Sequence, residues 1–169
     1  MYKIIQHKLS LKNLNFFFRN WPIGRSIFHD ASRDLVVWIN QSDHLVIKSL
    51  DKRGNARRAA RRLCSFLSAL QTQLTFSVHP AYGYLSVSPG RAGPGLEAAV
   101  LARLPCLAKK TYPRLRQLCT SYDITIRRQR RVMLELVTGA RTHGVPEFLI
   151  LTNFFNGIRE LAELEKGWE

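Results

Sequence analysis

Leu35-Val36-Val37-Trp38-Ile39-Asn40-Gln41-Ser42-Asp43-His44-Leu45-Val46-Ile47-Lys48-Ser49-Leu50 is the stretch on which the fold turns. Residues 35–39 are an unbroken apolar run, β-branched and aromatic in its second half, which is the composition of a strand. Gln41, Ser42 and Asp43 read as a turn, and residues 44–50 alternate apolar and polar side chains as a half-buried strand does. A second polar turn, Asp30-Ala31-Ser32-Arg33, precedes the first strand. Together these segments predict an antiparallel meander.

Outward from this stretch, the text stays globular and mixed. Asn55 is placed to cap a helix, and Ala56, Ala59, Ala60, Leu63, Leu67 and Leu70 follow at helical spacing. Arg57, Arg58, Arg61 and Arg62 fall mostly off that stripe, which predicts a solvated basic face, and Cys64 on the stripe predicts a core thiol. Residues 75–79 and 82–88 read as strands around His79-Pro80-Ala81-Tyr82-Gly83, and Pro89, Gly90, Gly93, Pro94 and Gly95 form an irregular loop. Residues 98–104 predict a further strand, Pro113 to about Tyr122 a short basic helix, and residues 134–137 a last strand. Pro146 opens a long helix with Leu151, Phe155, Ile158, Leu161 and Leu164 as its apolar face, Phe154 and Phe155 in the core, and Gly167 as its stop. The expected class is α+β, an antiparallel sheet backed by helices.

Composition removes several functions. The chain has 169 residues, which suits one domain, and 46% of them are apolar, so it can build a core. No apolar run reaches the ~18 residues of a membrane span. Cys64, Cys106 and Cys119 are too few for a disulfide framework and lack zinc-ligand spacing, and no metal is expected. Neither a Gly-x-x-x-x-Gly-Lys loop nor a Gly-x-Gly-x-x-Gly fingerprint occurs. Lys plus Arg number 26 against 12 acids, a net charge of +14, which points to an anionic partner. No reader motif or aromatic platform accompanies those charges, so a specific nucleic-acid partner is not expected. Residues 1–20 are basic and acid-free. They are expected to be an extension laid on the domain, or alternatively a mitochondrial leader; otherwise the chain is expected in the cytoplasm.

The ordered motifs resemble those of phosphagen kinases, the creatine and arginine kinases. Trp21-Pro22-Ile23-Gly24-Arg25-Ser26-Ile27-Phe28-His29 is similar to the family's Trp-Pro-x-x-Arg-Gly-Ile-(Trp/Phe)-His. Val37-Trp38-Ile39-Asn40-Gln41-Ser42-Asp43-His44-Leu45 resembles Val-Trp-(Val/Ile)-Asn-Glu-Glu-Asp-His-Leu. Arg61-Arg62-Leu63-Cys64, Gly83-Tyr84-Leu85-Ser86-Val87-Ser88-Pro89, Gly93-Pro94-Gly95-Leu96-Glu97 and the Gly157 helix follow in the family's order. The resemblance implies a creatine kinase-like, glutamine synthetase-like catalytic domain over residues 21–169, without the family's small helical N-terminal domain. It also implies MgATP as co-substrate, phosphoryl transfer to a guanidino nitrogen, and dimers of this chain or with an intact relative.

Residue by residue, the implied site is degenerate. The family's two glutamates, which grip the guanidinium, fall on Gln41 and Ser42, and its reactive cysteine falls on Ser88. Two phosphate-site arginines fall on Val46 and Glu97, and a histidine falls on Leu101. Two further family arginines lie upstream of Trp21 and have no counterpart. Arg127 matches the arginine that opens a Gly-rich phosphate segment, but Arg128, Gln129, Arg130 and Arg131 follow it where glycines let backbone amides approach phosphate. Arg127, Arg128, Arg130 and Arg131, with Lys109 and Lys110, remain as candidate phosphate ligands. Phosphoryl transfer depends on charge placement. The expectation is therefore a scaffold that has lost catalysis, the alternatives being residual ATP or polyanion binding, or a partial kinase completed by another chain.

Overall fold

The computed structural model describes residues 23–41, 43–87, 92–109, 113–130, 132–138 and 144–167. The chain divides into two compact units, Met1–Ser77 with Ser86–Ser88, and Val78–Leu85 with Pro89–Glu169. The basic extension 1–20, Trp21, Pro22, Ser42, Ser88, Lys110 and Arg131 lie outside the described residues.

The first unit carries a three-stranded antiparallel meander, β1 (Ser26–His29), β2 (Leu35–Ile39) and β3 (Leu45–Ser49). Phe28 faces Val37 across β1 and β2, and Trp38 faces Val46 across β2 and β3. The period of two is visible on β2, where Leu35 and Val37 are buried and Val36 and Trp38 less so. The 30–33 turn is closed by Asp30, whose carboxylate accepts from the Leu35 N–H (3.1 Å) and the Ser32 hydroxyl (2.7 Å). Asn40 turns the chain between β2 and β3 at φ +53, and its side-chain amide donates to the Gly24 carbonyl (2.8 Å). Sequence patterning did not resolve β1: its four residues gain strand character only through pairing with β2.

Helix α1 (Ala56–Gln71) starts where expected. Asn55 Oδ1 accepts from the Arg58 N–H (2.9 Å), and the Asp51 carboxylate accepts from the Asn55 and Arg53 N–H groups. The helix packs against β3 and fully buries no residue. Two expectations fail here. Arg62 is not on the solvated face; it turns inward and donates to the Leu50 carbonyl (2.8 Å) and the Asp34 carboxylate (3.5 Å). Its guanidinium satisfies the Asp34 and Leu50 carbonyls at the strand ends, so a charged residue occupies the inner stripe. Cys64 is exposed rather than a core thiol, because Ala59, Arg62, Leu63, Phe66, Leu67 and Leu70 form the inner face.

The second unit holds a two-stranded ribbon, β4 (Val78–His79) with β5 (Gly83–Tyr84), and a three-stranded sheet. These two strands are much shorter than the 75–79 and 82–88 runs expected; Tyr84, the last residue of β5, pairs with Val78 on one side and exchanges both backbone hydrogen bonds with Gly93 on the other. Gly83, at φ +70, must be glycine: a Cβ would stand 2.4 Å from the Gly93 carbonyl oxygen. In the larger sheet β8 (Met133–Thr138) is central, between β6 (Ala99–Arg103) and β7 (Ile124–Arg130), both antiparallel to it. Residues 127–131 read in sequence as a charge cluster; the strand β7 forms by pairing with the largely apolar β8.

Helices α2 (Pro105–Lys109), α3 (Pro113–Ser121) and α4 (Glu147–Lys166) complete this unit. The core gathers Leu104, Leu107, Leu115, Cys119, Ile124, Leu134, Leu136, Phe154 and Leu161. Pro146 is the N-cap of α4 and Gly167 its C-cap. The buried face of α4 is Ile150, Phe154, Gly157, Leu161 and Glu165; it shares Leu161 with the expected stripe but is rotated from it, so that Leu151, Phe155, Ile158 and Leu164 flank it. The rotation follows from Gly157, which lets the helix approach Tyr122 and Ile124, and from Glu165, whose carboxylate accepts the Cys106 (2.6 Å) and Leu107 (3.0 Å) N–H groups at the start of α2.

Candidate functional site

The sequence-derived site residues fall into two groups, one in each unit. In the first unit, the β2–β3 turn carries Gln41 and Asp43, and β3 carries Val46. Asp43 is the organising group. Its carboxylate accepts from the His44 N–H (2.8 Å), the Val87 N–H (3.5 Å) and the Ser86 hydroxyl. Burial pushes the Asp43 carboxyl up, but the Ser86, His44 and Val87 hydrogen bonds outweigh it and hold it below its ordinary value. The tie holds Ser86 and Val87 against the β2–β3 turn. The other described groups here are neutral: Gln41 is an amide and Val46 has no donor.

In the second unit, Arg127 is the extra residue of a β-bulge: Ile126 pairs with Leu136 and Arg128 with Glu135, leaving Arg127 out of register. A bulge re-aims the side chain of its extra residue. Arg127 reaches across the central strand, hydrogen-bonds the Glu97 carboxylate just before β6, and stands 4.0 Å from the Glu135 carboxylate on β8. The Glu97 hydrogen bond, with the charges of Glu97 and Glu135, raises the Arg127 pKa against the opposing effect of burial. Arg127 is therefore a fixed cation, already answered by carboxylates. Arg128 and Arg130 continue on β7 in ladder register with β8. Leu101 on β6 is 67% exposed and brings no polar group.

A polyphosphate needs several convergent donors with their charge free. Arg127 is engaged by Glu97, position 97 is itself an acid, position 46 is apolar, and the segment after Arg127 is a paired strand rather than a glycine cradle. Among the described residues no group of three or more His, Cys, Asp or Glu side chains could hold a metal ion, and no helix is long and apolar enough to cross a membrane. Sequence reasoning missed the Glu97–Arg127 pair. The signal was present as an acid and an arginine at two positions that the resemblance implies for phosphate, but the strand crossing that joins them is not a local pattern.

The family described as ATP:guanido phosphotransferase, C-terminal catalytic domain, matches residues 2–168. The chain is 31% identical over 155 residues to arginine kinase of Artemia franciscana, covering 88% of this chain and 43% of that protein. It is 30% identical over 156 residues to taurocyamine kinase of Schistosoma mansoni, covering 89% of this chain and 21% of that protein. The structure of the substrate-free duplicated taurocyamine kinase from Schistosoma mansoni superposes with TM-score 0.80 at 29% identity, over 89% of this chain and 20% of that one. Lombricine kinase shares the fold at TM-score 0.76 and 24% identity, over 89% of this chain and 44% of that one. The chain thus spans less than half the length of the relatives it matches.

Proposed function

The chain belongs to the ATP:guanido phosphotransferase family, and from that premise we propose that it keeps the family's catalytic-domain scaffold without its phosphotransfer. The observation that carries this reading is Arg127, the one arginine left at a family phosphate position, paired with a carboxylate at another such position, Glu97. Transfer from MgATP to a guanidine requires positive charge around the phosphates and negative charge around the guanidinium. Glu97 subtracts from the first. Gln41 removes part of the second, because an amide neither neutralises a guanidinium nor takes its proton. Asp43 does not compensate, since its carboxylate is held by Ser86 and backbone N–H groups.

In this reading MgATP binds weakly, and the protein acts as a member of the family that interacts rather than catalyses. The test is a coupled ADP-release assay with arginine, taurocyamine and creatine as acceptors. The expected result is ADP release indistinguishable from a buffer blank for every guanidine. Guanidine-dependent turnover above that blank overturns the reading.

A further inference from the structure

The geometry points to Glu97 as a tethered anion that occupies Arg127 in place of a phosphate, so that this one carboxylate sets whether the second unit binds polyphosphate. The inference rests on reading Arg127 as the phosphate-facing arginine, and it assigns Glu97 a specificity-determining role beyond the loss of catalysis.

The contact is built from both sides. Glu97 is anchored through its neighbour: the Ala98 N–H donates to the Thr138 hydroxyl (3.2 Å), and the Thr138 N–H donates to the Ala98 carbonyl (2.9 Å). Arg127 is anchored by the ladder pairs on either side of its bulge. The two side chains meet across the central strand, with Glu135 behind them. A tethered partner acts at a high effective concentration, so a free anion must displace Glu97 before it reaches the guanidinium. An incoming polyphosphate also meets the like charge of Glu97 and Glu135. Both effects fall on one guanidinium, and the Glu97 share of each can be removed without disturbing the ladder, since Glu97 lies outside the strands and its side chain is 56% exposed.

The experiment compares wild type, Glu97→Gln, Arg127→Gln and the double variant by titration calorimetry. Inorganic tripolyphosphate and MgATP serve as separate probes at low ionic strength, with a thermal melt of each protein to confirm folding. Glu97→Gln is expected to bind tripolyphosphate about tenfold tighter than wild type, a gain of the size of one charge-assisted contact. The double variant is expected to lose that gain. MgATP is expected to follow tripolyphosphate, tightening in Glu97→Gln and not in the double variant. An absent gain in Glu97→Gln, or a gain that persists without Arg127, overturns the inference. Guanidine-dependent turnover by the wild type would instead count against the proposed loss of phosphotransfer and leaves this comparison intact.

Discussion

Gly157 is buried on α4 because there is no room for a side chain: a Cβ there would lie 2.6 Å from Ile124 Cδ1 and 2.7 Å from Tyr122 Cβ. Ile124 Cδ1 is the end of a side chain and can shift, whereas Tyr122 Cβ is fixed to its backbone. Gly157→Ala is therefore expected to destabilise the second unit by about 1–3 kcal/mol, the usual size of overpacking, as read by urea denaturation. A melt unchanged from wild type would show that α4 can slide away from Tyr122 freely. Glu165 poses the opposite problem, a carboxylate 5% exposed whose oxygens answer the Cys106 and Leu107 N–H groups. Glu165→Ala leaves those donors buried and unpaired, at a cost of about 1–3 kcal/mol. Glu165→Gln keeps an acceptor and is expected to recover part of the loss. Equal melts for the two variants would place the contribution of Glu165 in its packing rather than in its hydrogen bonds.

The elements inherit their positions from groups of this kind. The turn between β2 and β3 holds residues 86 and 87 through Asp43. The folded Asp43 carboxyl lies below its ordinary value of 3.8, so its stabilisation is complete above that value and is lost as pH falls through the depressed folded pKa. Acid titration is expected to release the Ser86 and Val87 contact in that window, seen as amide shift changes at His44 and Val87 by NMR. Asp43→Asn is expected to abolish this transition, and a transition that survived the substitution would assign it to another acid. At this scale the sequence was legible wherever the signal was local. The Asn55 cap, the β2–β3 meander, the strand at 98–104 and the ends of α4 depend on residues a few positions apart. The inner face of α1 was misread because Arg62 is buried for its hydrogen bonds, which periodicity of apolar residues does not register. The face of α4 was misread because a glycine and a glutamate belong to it, and neither counts as apolar. In the candidate site, the identities at Gln41, Val46 and Glu97 could be set against the family's motifs in one dimension. The pairing of Glu97 with Arg127 required a bulge and a strand crossing, which no spacing along the chain encodes.

At the scale of the whole molecule, the two units differ in how much they bury. The first has Ile27, Leu35 and Val37 as its buried apolar residues among those described, each 8% exposed, and α1 contributes none. The second has Leu136 at 0%, with Leu134, Phe154 and Leu161 at 1%. Stability within a protein follows such differences, since segments with few buried contacts open at lower free energy than those at the core. The net charge of +14 acts in the same direction, because like charges repel in the compact state. On α1, Arg57 and Arg61 stand exposed, while Arg58 meets Asp51 only at 3.9 Å with 61% of its side chain exposed, a pairing of little energetic weight. Hydrogen exchange read by mass spectrometry is therefore expected to show α1 exchanging first and β8 with the middle of α4 exchanging last. Added salt is expected to slow α1 more than β8, because screening relieves repulsion among surface arginines and leaves burial unchanged. Uniform protection across both units, or α1 protected as strongly as β8, would mean that burial within each unit does not govern its opening. The turn that carries Gln41 and Asp43 belongs to the thinly buried unit. That turn is then the first to loosen when conditions approach unfolding, whereas the Glu97–Arg127 pair, which spans the β6–β8–β7 sheet, persists longer.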